Sequence, residues 1–68
     1  MFERSYYRLI RTVPYRGFRI ELRRGVALFI AFVLDAEGRS IYRTKLRGSD
    51  SDVADNAKAF VDFRLAEE

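Results

Sequence analysis

The chain has 68 residues and a formal net charge of +3 at pH 7, and it contains neither cysteine nor histidine. A chain this short forms a single domain, here residues 1–68, with a small core. Its composition excludes disulfides and thiolate zinc sites, and it lacks the residues of most other metal sites and general-base sites. Hydrophobic residues make up 49% of the sequence and aromatic residues 15%, which indicates an ordered globular domain rather than a disordered chain.

The charges are divided unevenly along the sequence. Residues 1–47 carry eleven Lys or Arg against four Asp or Glu, whereas residues 48–68 carry two against six. The first part therefore has a charge of +7 and the second a charge of −4, which together give the net +3. This asymmetry is the clearest functional hint in the sequence.

Four β-strands are predicted before a single helix. They are expected at residues 5–12, 16–24, 26–34 and 39–46. Tyrosine, isoleucine and threonine favour a strand in the first segment, and Pro14, which lacks an amide donor, is expected to end it. The apolar residues from Phe2 to Ile10 also recur at helical spacing, so residues 2–12 fit either a strand or a helix.

The later strands differ in their hydrophobic patterns. From Arg16 to Arg24, apolar side chains alternate with charged ones, as in a strand with one buried face. From Val26 to Leu34 no residue is polar, and this run is too short to cross a bilayer as a helix, which takes about 20 residues. We interpret it as the central strand. Residues 39–46 mix polar and apolar side chains on both faces, which is typical of an edge strand.

The segment from Gly48 to Asp52 is typical of a helix start, and the helix is expected at residues 51–66. The predicted fold class is α+β, a three- or four-stranded antiparallel β-meander with one C-terminal α-helix packed on one face. The sequence does not say which face the helix covers. The predicted core consists of Phe18, Ile20, Leu22, several of residues 28–34, Val53, Ala57, Phe60 and Val61.

Apolar side chains on both faces of the third strand suggest an interface. One helix covers one face of a sheet, so either Phe29 with Val33 or Phe32 with Ile30 is expected in water, and a patch of this kind usually marks an interaction site. We therefore expect Phe29 or Phe32 to lie in a homodimer interface, formed through the sheet face or through an edge strand. The alternative is that neighbouring Arg and Tyr side chains lie over the patch.

Basic and aromatic residues are interleaved on the predicted strands, which suggests a nucleic-acid-binding surface. Arginine matches phosphate in a bidentate geometry, and tyrosine rings stack on bases. The candidate nucleic-acid-binding residues are Arg16, Arg19, Arg23, Arg43 and Lys45. The tyrosines among them are Tyr6, Tyr7, Tyr15 and Tyr42. The alternative is a solvated basic surface that only keeps the protein soluble.

The segment Tyr15-Arg16-Gly17-Phe18-Arg19 resembles the Tyr-Arg-Gly-Val-Arg opening of the plant ethylene-response-factor DNA-binding domain. That family and the related phage-integrase arm-binding domains have a three-stranded sheet followed by one helix, and they read the major groove with strand arginines and tryptophans. The resemblance extends loosely over residues 15–63 and implies that Arg16 and Arg19 contact DNA. Glu21 replaces a further family arginine, and the chain has no tryptophan. By topology alone, the order of elements also resembles the dimeric positive-cofactor-four class of single-strand binders.

These features predict a small non-catalytic binding module that binds nucleic acid through a basic sheet surface. The alternative is a homodimeric protein-interaction and assembly module with no nucleic-acid role. We expect no enzyme, because Ser49 and Ser51 have no histidine to activate them and Arg and Tyr are poor acid–base catalysts at neutral pH. We also expect no cofactor, no metal and no membrane partner. No signal-peptide pattern follows Met1, so a cytoplasmic location is the default.

Overall fold

The structure, a computed structural model, describes residues 3–67 and has the predicted α+β fold. Four antiparallel strands form one open sheet in the order β1-β2-β3-β4, and a C-terminal helix packs on it. A short 3₁₀ helix at Glu3–Tyr6 precedes the sheet. The strands and the helix are β1 at Arg8–Tyr15, β2 at Phe18–Arg24, β3 at Phe29–Leu34, β4 at Ser40–Arg43 and α1 at Asp50–Ala66.

The first strand lies later in the chain than the sequence predicted. It begins at Arg8 and continues through Pro14 to Tyr15, so the prediction that Pro14 ends the strand is wrong. β1 is an edge strand of the sheet, and an edge tolerates a residue that lacks an amide donor. The helical alternative is realised only as the 3₁₀ turn before β1, and Phe2, which contributed to that pattern, lies outside the described residues.

The apolar run from Val26 is not strand throughout. β3 begins at Phe29, which pairs with Arg24 of β2, so the four residues between them form the connecting turn. The Gly25 amide donates a hydrogen bond to the Leu28 carbonyl at 2.8 Å and closes this turn. The register of the β2–β3 hairpin therefore places Val26 in the turn, although the hydrophobic pattern assigns it to the strand. Val26 is 99% exposed.

The fourth strand is shorter than predicted and ends at Arg43. Beyond it, the buried Thr44 continues the contact with β3, since its amide donates to the Ala31 carbonyl at 2.9 Å and its hydroxyl accepts from the Ala31 amide at 3.0 Å. Arg47 then forms an isolated bridge with Phe29. β4 lies at an edge of the sheet, as its mixed pattern indicated.

The helix begins one residue before the predicted start. Ser49 occupies the N-cap position in extended backbone geometry, but its hydroxyl bonds to the Ser51 hydroxyl at 2.8 Å rather than capping an amide. Asp50 and Asp52 lie in the first turn, where carboxylates interact favourably with the helix dipole.

One core lies between the helix and the sheet, and it contains most of the predicted residues. The buried members are Ile20, Leu22, Ala31, Val33, Val53, Ala54, Ala57 and Val61. Phe18 and Phe60 are half-buried at its edge. The Phe60 ring stacks on the Tyr42 ring with the ring centroids 4.1 Å apart.

The other face of the sheet is also buried, so the expectation of an uncovered apolar face is wrong. Ile30, Phe32 and Leu34 point away from the helix, and Phe32 is only 1% exposed. The chain before β1 folds back over this face, where the centroid of the Tyr7 ring lies 6.3 Å from that of Phe32. The alternative that neighbouring Arg and Tyr side chains cover these residues describes the structure better.

Candidate nucleic-acid interface

The candidate site is the sheet face that α1 does not cover, called here the helix-free face. Cross-strand partners share a face of a sheet, and residues two apart on a strand do so as well. Ile20 and Leu22 face the helix, so Arg19, Glu21 and Arg23 of β2 lie on the helix-free face. Arg43 of β4 joins them, because it pairs with the buried Phe32.

Arg19 and Arg43 are the exposed cations of this face. Arg19 pairs with Leu34, and Arg43 pairs with Phe32, so the two guanidinium groups flank the buried apolar centre on β2 and β4. The Arg19 guanidinium extends to the β3–β4 turn at Gly38, where it would lie 3.4 Å from an added Cβ atom. Lys45 is exposed two residues after Arg43. These three predicted residues therefore present charge to solvent.

Arg23 has a structural role instead. Its side chain is 15% exposed, its Nη1 donates to the carbonyls of Arg4 and Tyr7 at 3.0 and 2.8 Å, and its Nε donates to Glu21 Oε1 at 3.0 Å. Arg4 Nη1 donates to the same Glu21 oxygen at 3.0 Å. Arg23 thus fastens the N-terminal segment to the sheet and is not placed to contact a ligand as predicted.

Arg16 lies in the two-residue β1–β2 turn and belongs to the helix side. Its φ of 51° and that of Gly17 at 87° are the positive values of a type I′ hairpin turn. Arg16 Nη1 donates to Asp62 Oδ1 of α1 at 2.7 Å, and the Tyr15 hydroxyl donates to the same oxygen at 2.9 Å. These bonds lower the pKa of Asp62 and raise the pKa of Tyr15 and of Arg16. The charge of Arg16 is therefore partly neutralised.

The tyrosines do not form the stacking surface that the sequence suggested. Tyr15 and Tyr42 contact the helix, through Asp62 and through Phe60. Tyr7 covers Phe32 and is half-buried, and Tyr6 is exposed beside it. The helix-free face consequently offers guanidinium groups with little exposed aromatic surface.

Arg4, which no sequence pattern indicated as a site residue, lies on the helix-free face through its bond to Glu21. No strand pattern reaches this residue, because it precedes β1. With it, the arginines that the structure describes on the helix-free face are Arg4, Arg19, Arg23 and Arg43, beside the carboxylate of Glu21. The exposed carboxylates Asp52, Asp55 and Asp62 lie on the helix, on the other side of the sheet.

Phe29 and Phe32, the candidate dimer residues, do not form one exposed patch. They point to opposite faces of β3, Phe32 is buried, and Phe29 is half-buried beneath the Arg24 guanidinium, whose carbon lies 5.5 Å from the ring centroid. A homodimer stays a prediction. Because both faces of the sheet are covered, an uncovered sheet face does not form its interface.

The described part of the chain contains no group of three or more acidic side chains placed to hold a metal ion. Within residues 3–67 no helix has the length and apolar character needed to span a bilayer. Ser49 and Ser51 bond to each other through their hydroxyls at the start of α1.

Comparison of the chain with known protein families, with curated proteins and with solved structures finds no match.

Proposed function

We propose that this protein is a non-catalytic nucleic-acid-binding module that contacts the phosphate backbone with its helix-free face. Arg19 and Arg43 are the principal contacts, and Lys45 adds charge at the β4 edge. The observation that carries the proposal is the exposure of Arg19 and Arg43 on the helix-free face, on the side of the sheet away from the exposed carboxylates of the helix. Other exposed arginines, among them Arg8, Arg11 and Arg24, lie on the helix side of the sheet.

The thickness of the molecule supports this arrangement. Its shortest extent is 16 Å, whereas the Debye length at physiological ionic strength is about 8 Å. The helix carboxylates are therefore largely screened from a polyanion that lies on the helix-free face. A cationic face backed by a distant acidic face also orients the protein as it approaches nucleic acid.

The composition of the face favours contacts to phosphate over contacts to bases. Arginine forks bind phosphate oxygens without reading sequence, and most of the exposed area lacks the aromatic rings that stack single-stranded bases. Binding is therefore expected to be weakly sequence-selective and strongly salt-dependent. The resemblance to the ethylene-response-factor domain supports Arg19 as a DNA contact, whereas Arg16 is engaged with Asp62.

The test compares two double variants that remove the same charge from opposite sides of the molecule. Arg19→Gln with Arg43→Gln changes the helix-free face. Arg47→Gln with Arg64→Gln changes the helix side, where Arg47 lines a shallow depression with Asp52 and Asp55 and Arg64 is exposed on α1. Affinity for labelled mixed-sequence single- and double-stranded DNA is measured by fluorescence anisotropy at low salt.

The variant with Arg19→Gln and Arg43→Gln is expected to bind DNA at least tenfold more weakly than wild type. The variant with Arg47→Gln and Arg64→Gln is expected to bind within about twofold of wild type. The loss of two phosphate contacts costs far more affinity than a distant change of net charge. Equal losses in both variants would mean that net charge alone drives binding. No binding by the wild-type protein at low salt would remove the proposal altogether.

A further inference from the structure

Exposed apolar side chains gather at one end of the molecule, around the turn that joins β2 to β3. Leu9 lies opposite Arg23, close to this turn, and the Tyr7 ring packs against Gly25 within it. The exposed apolar residues at this end are Tyr6, Leu9, Ile10, Val26 and Leu28.

Val26 forms the tip of this cluster. The hydrogen bond between the Gly25 amide and the Leu28 carbonyl holds the turn closed, and Val26, whose side chain contributes nothing to the core, is 99% exposed. The tip therefore projects into solvent. An apolar cluster that folding leaves in water usually marks a surface that meets a partner or a membrane.

Two arginines lie beside the apolar tip. Arg8 of β1 pairs directly with Arg24 of β2, and both are exposed. Together with Leu9, Ile10, Phe29 and Asp50 they line an open cleft of about 410 Å³. Asp50 is the single acid of this lining, so the cleft carries a net positive charge.

We infer that this end of the molecule docks onto the surface of an anionic lipid bilayer. Val26 and Leu28 enter the boundary between headgroups and acyl chains, while Arg8 and Arg24 reach lipid phosphates with their stems against the apolar layer. Tyr6 has the amphipathic ring that favours this interface. Such docking is peripheral and involves no spanning segment.

The chemistry of this end favours lipid over the other partners. Two copies that met here would bring Arg8 and Arg24 against their own counterparts, and like charges in contact oppose association. The phosphate backbone of a nucleic acid offers nothing apolar to Val26 or Leu28. An exposed apolar tip with two arginines beside it matches an anionic lipid layer. The site uses neither Arg19 nor Arg43, so it is independent of the proposed function.

Tryptophan reporters test the docking, because the chain contains no tryptophan. Val26→Trp places a reporter at the tip. Phe63→Trp is the matched control, since Phe63 is 67% exposed and follows Asp62, which contacts the β1–β2 turn at the opposite end of β2. Emission is recorded with vesicles of phosphatidylcholine alone and of phosphatidylcholine with phosphatidylglycerol in equal amounts.

We expect a blue shift for the Val26→Trp protein with the anionic vesicles only, and none for the Phe63→Trp protein. In sedimentation with the same vesicles, Val26→Asp is expected to lower partitioning roughly tenfold or more, because it removes the aliphatic side chain that enters the bilayer and adds a charge of the same sign as the lipid. Phe63→Asp is expected to leave partitioning near that of wild type. Equal shifts at both positions, or equal partitioning of Val26→Asp and wild type, would contradict docking through this end. Failure of the wild-type protein to sediment would overturn the lipid proposal in favour of an acidic protein partner.

Discussion

Thr44 completes the hydrogen bonding between β3 and the segment after β4. Its hydroxyl accepts from the Ala31 amide and donates to the Lys45 carbonyl, each at 3.0 Å, and the residue is 2% exposed. A buried amide that loses its acceptor costs about 1–3 kcal/mol. One hydroxyl therefore matters to the stability of a domain with so small a core.

We expect Thr44→Val to lower the free energy of unfolding by about 1–3 kcal/mol, because valine keeps the shape of the side chain and leaves the Ala31 amide unpaired. Urea denaturation followed by circular dichroism measures the loss. Thr12→Val is the matched control, since Thr12 is exposed on β1 and a surface substitution changes stability by no more than about 0.5 kcal/mol. Similar losses in the two variants would contradict the role of the hydroxyl.

Asp62 links the C-terminal half of α1 to the β1–β2 turn. The hydrogen bonds from Arg16 and Tyr15 stabilise its ionised form and lower its pKa below the ordinary 3.8. The unfolded chain therefore takes up a proton at a higher pH than the folded protein does. The stability that this contact adds is complete above pH 3.8 and is lost as the pH falls through the lowered pKa.

We expect Asp62→Asn to be less stable than wild type at neutral pH, and the difference to shrink and disappear as the pH falls below 3.8. Urea midpoints measured from neutral to strongly acidic pH give the two curves. Asp55→Asn, an exposed carboxylate on the same helix, serves as the control. A difference between wild type and Asp62→Asn that stays constant through the acid range would argue against the ionised contact.

The strands and the helix are the features that the sequence specifies best. The alternating pattern predicted β2 with the same end at Arg24, and the acidic start with its apolar stripe predicted α1 to within one residue. The limits of β3 were not predictable from hydrophobicity, because pairing of Arg24 with Phe29 assigns Val26 to a turn. The hydrophobic pattern of a single segment does not reveal how that segment pairs with the neighbouring strand, and here the pairing sets where β3 begins.

The strand patterns also did not predict that the segment before β1 covers the helix-free face. It depends on bonds between residues distant in sequence, with Arg23 and Glu21 of β2 holding Arg4 and Tyr7. Because these contacts join residues distant in sequence, nothing in the strand pattern distinguished Arg23 from an arginine that binds a ligand. A residue type indicates what a side chain can bind, while its partner is set by the tertiary fold.

We expect Arg23→Met to lower the free energy of unfolding by roughly 1.5–3 kcal/mol, because methionine keeps an apolar stem over Ile30 but loses the charged hydrogen bonds. Hydrogen exchange of the β3 amides is expected to accelerate with it. Arg24→Met, at an exposed neighbouring position, should change stability by no more than about 0.5 kcal/mol. If Arg23→Met matched this control, the N-terminal segment would be held by other contacts.

The charge asymmetry of the sequence becomes a difference between the sheet and the helix. The basic part forms the sheet and the acidic part forms the helix that covers one face of it. The sequence indicated which residues carry the charge. Arg19, Arg43 and Lys45 are exposed, whereas Arg23 bonds to the N-terminal segment and Arg16 bonds to Asp62.

The salt dependence of DNA affinity tests the proposed role of the helix-free face most directly. For duplex DNA, the logarithm of the affinity falls with the logarithm of salt concentration with a slope of about −0.9 for each phosphate contact. We expect a linear decrease for wild type and a slope smaller by about two units for Arg19→Gln with Arg43→Gln. The same slope in both proteins would show that these arginines do not contact phosphate, and it would contradict the account.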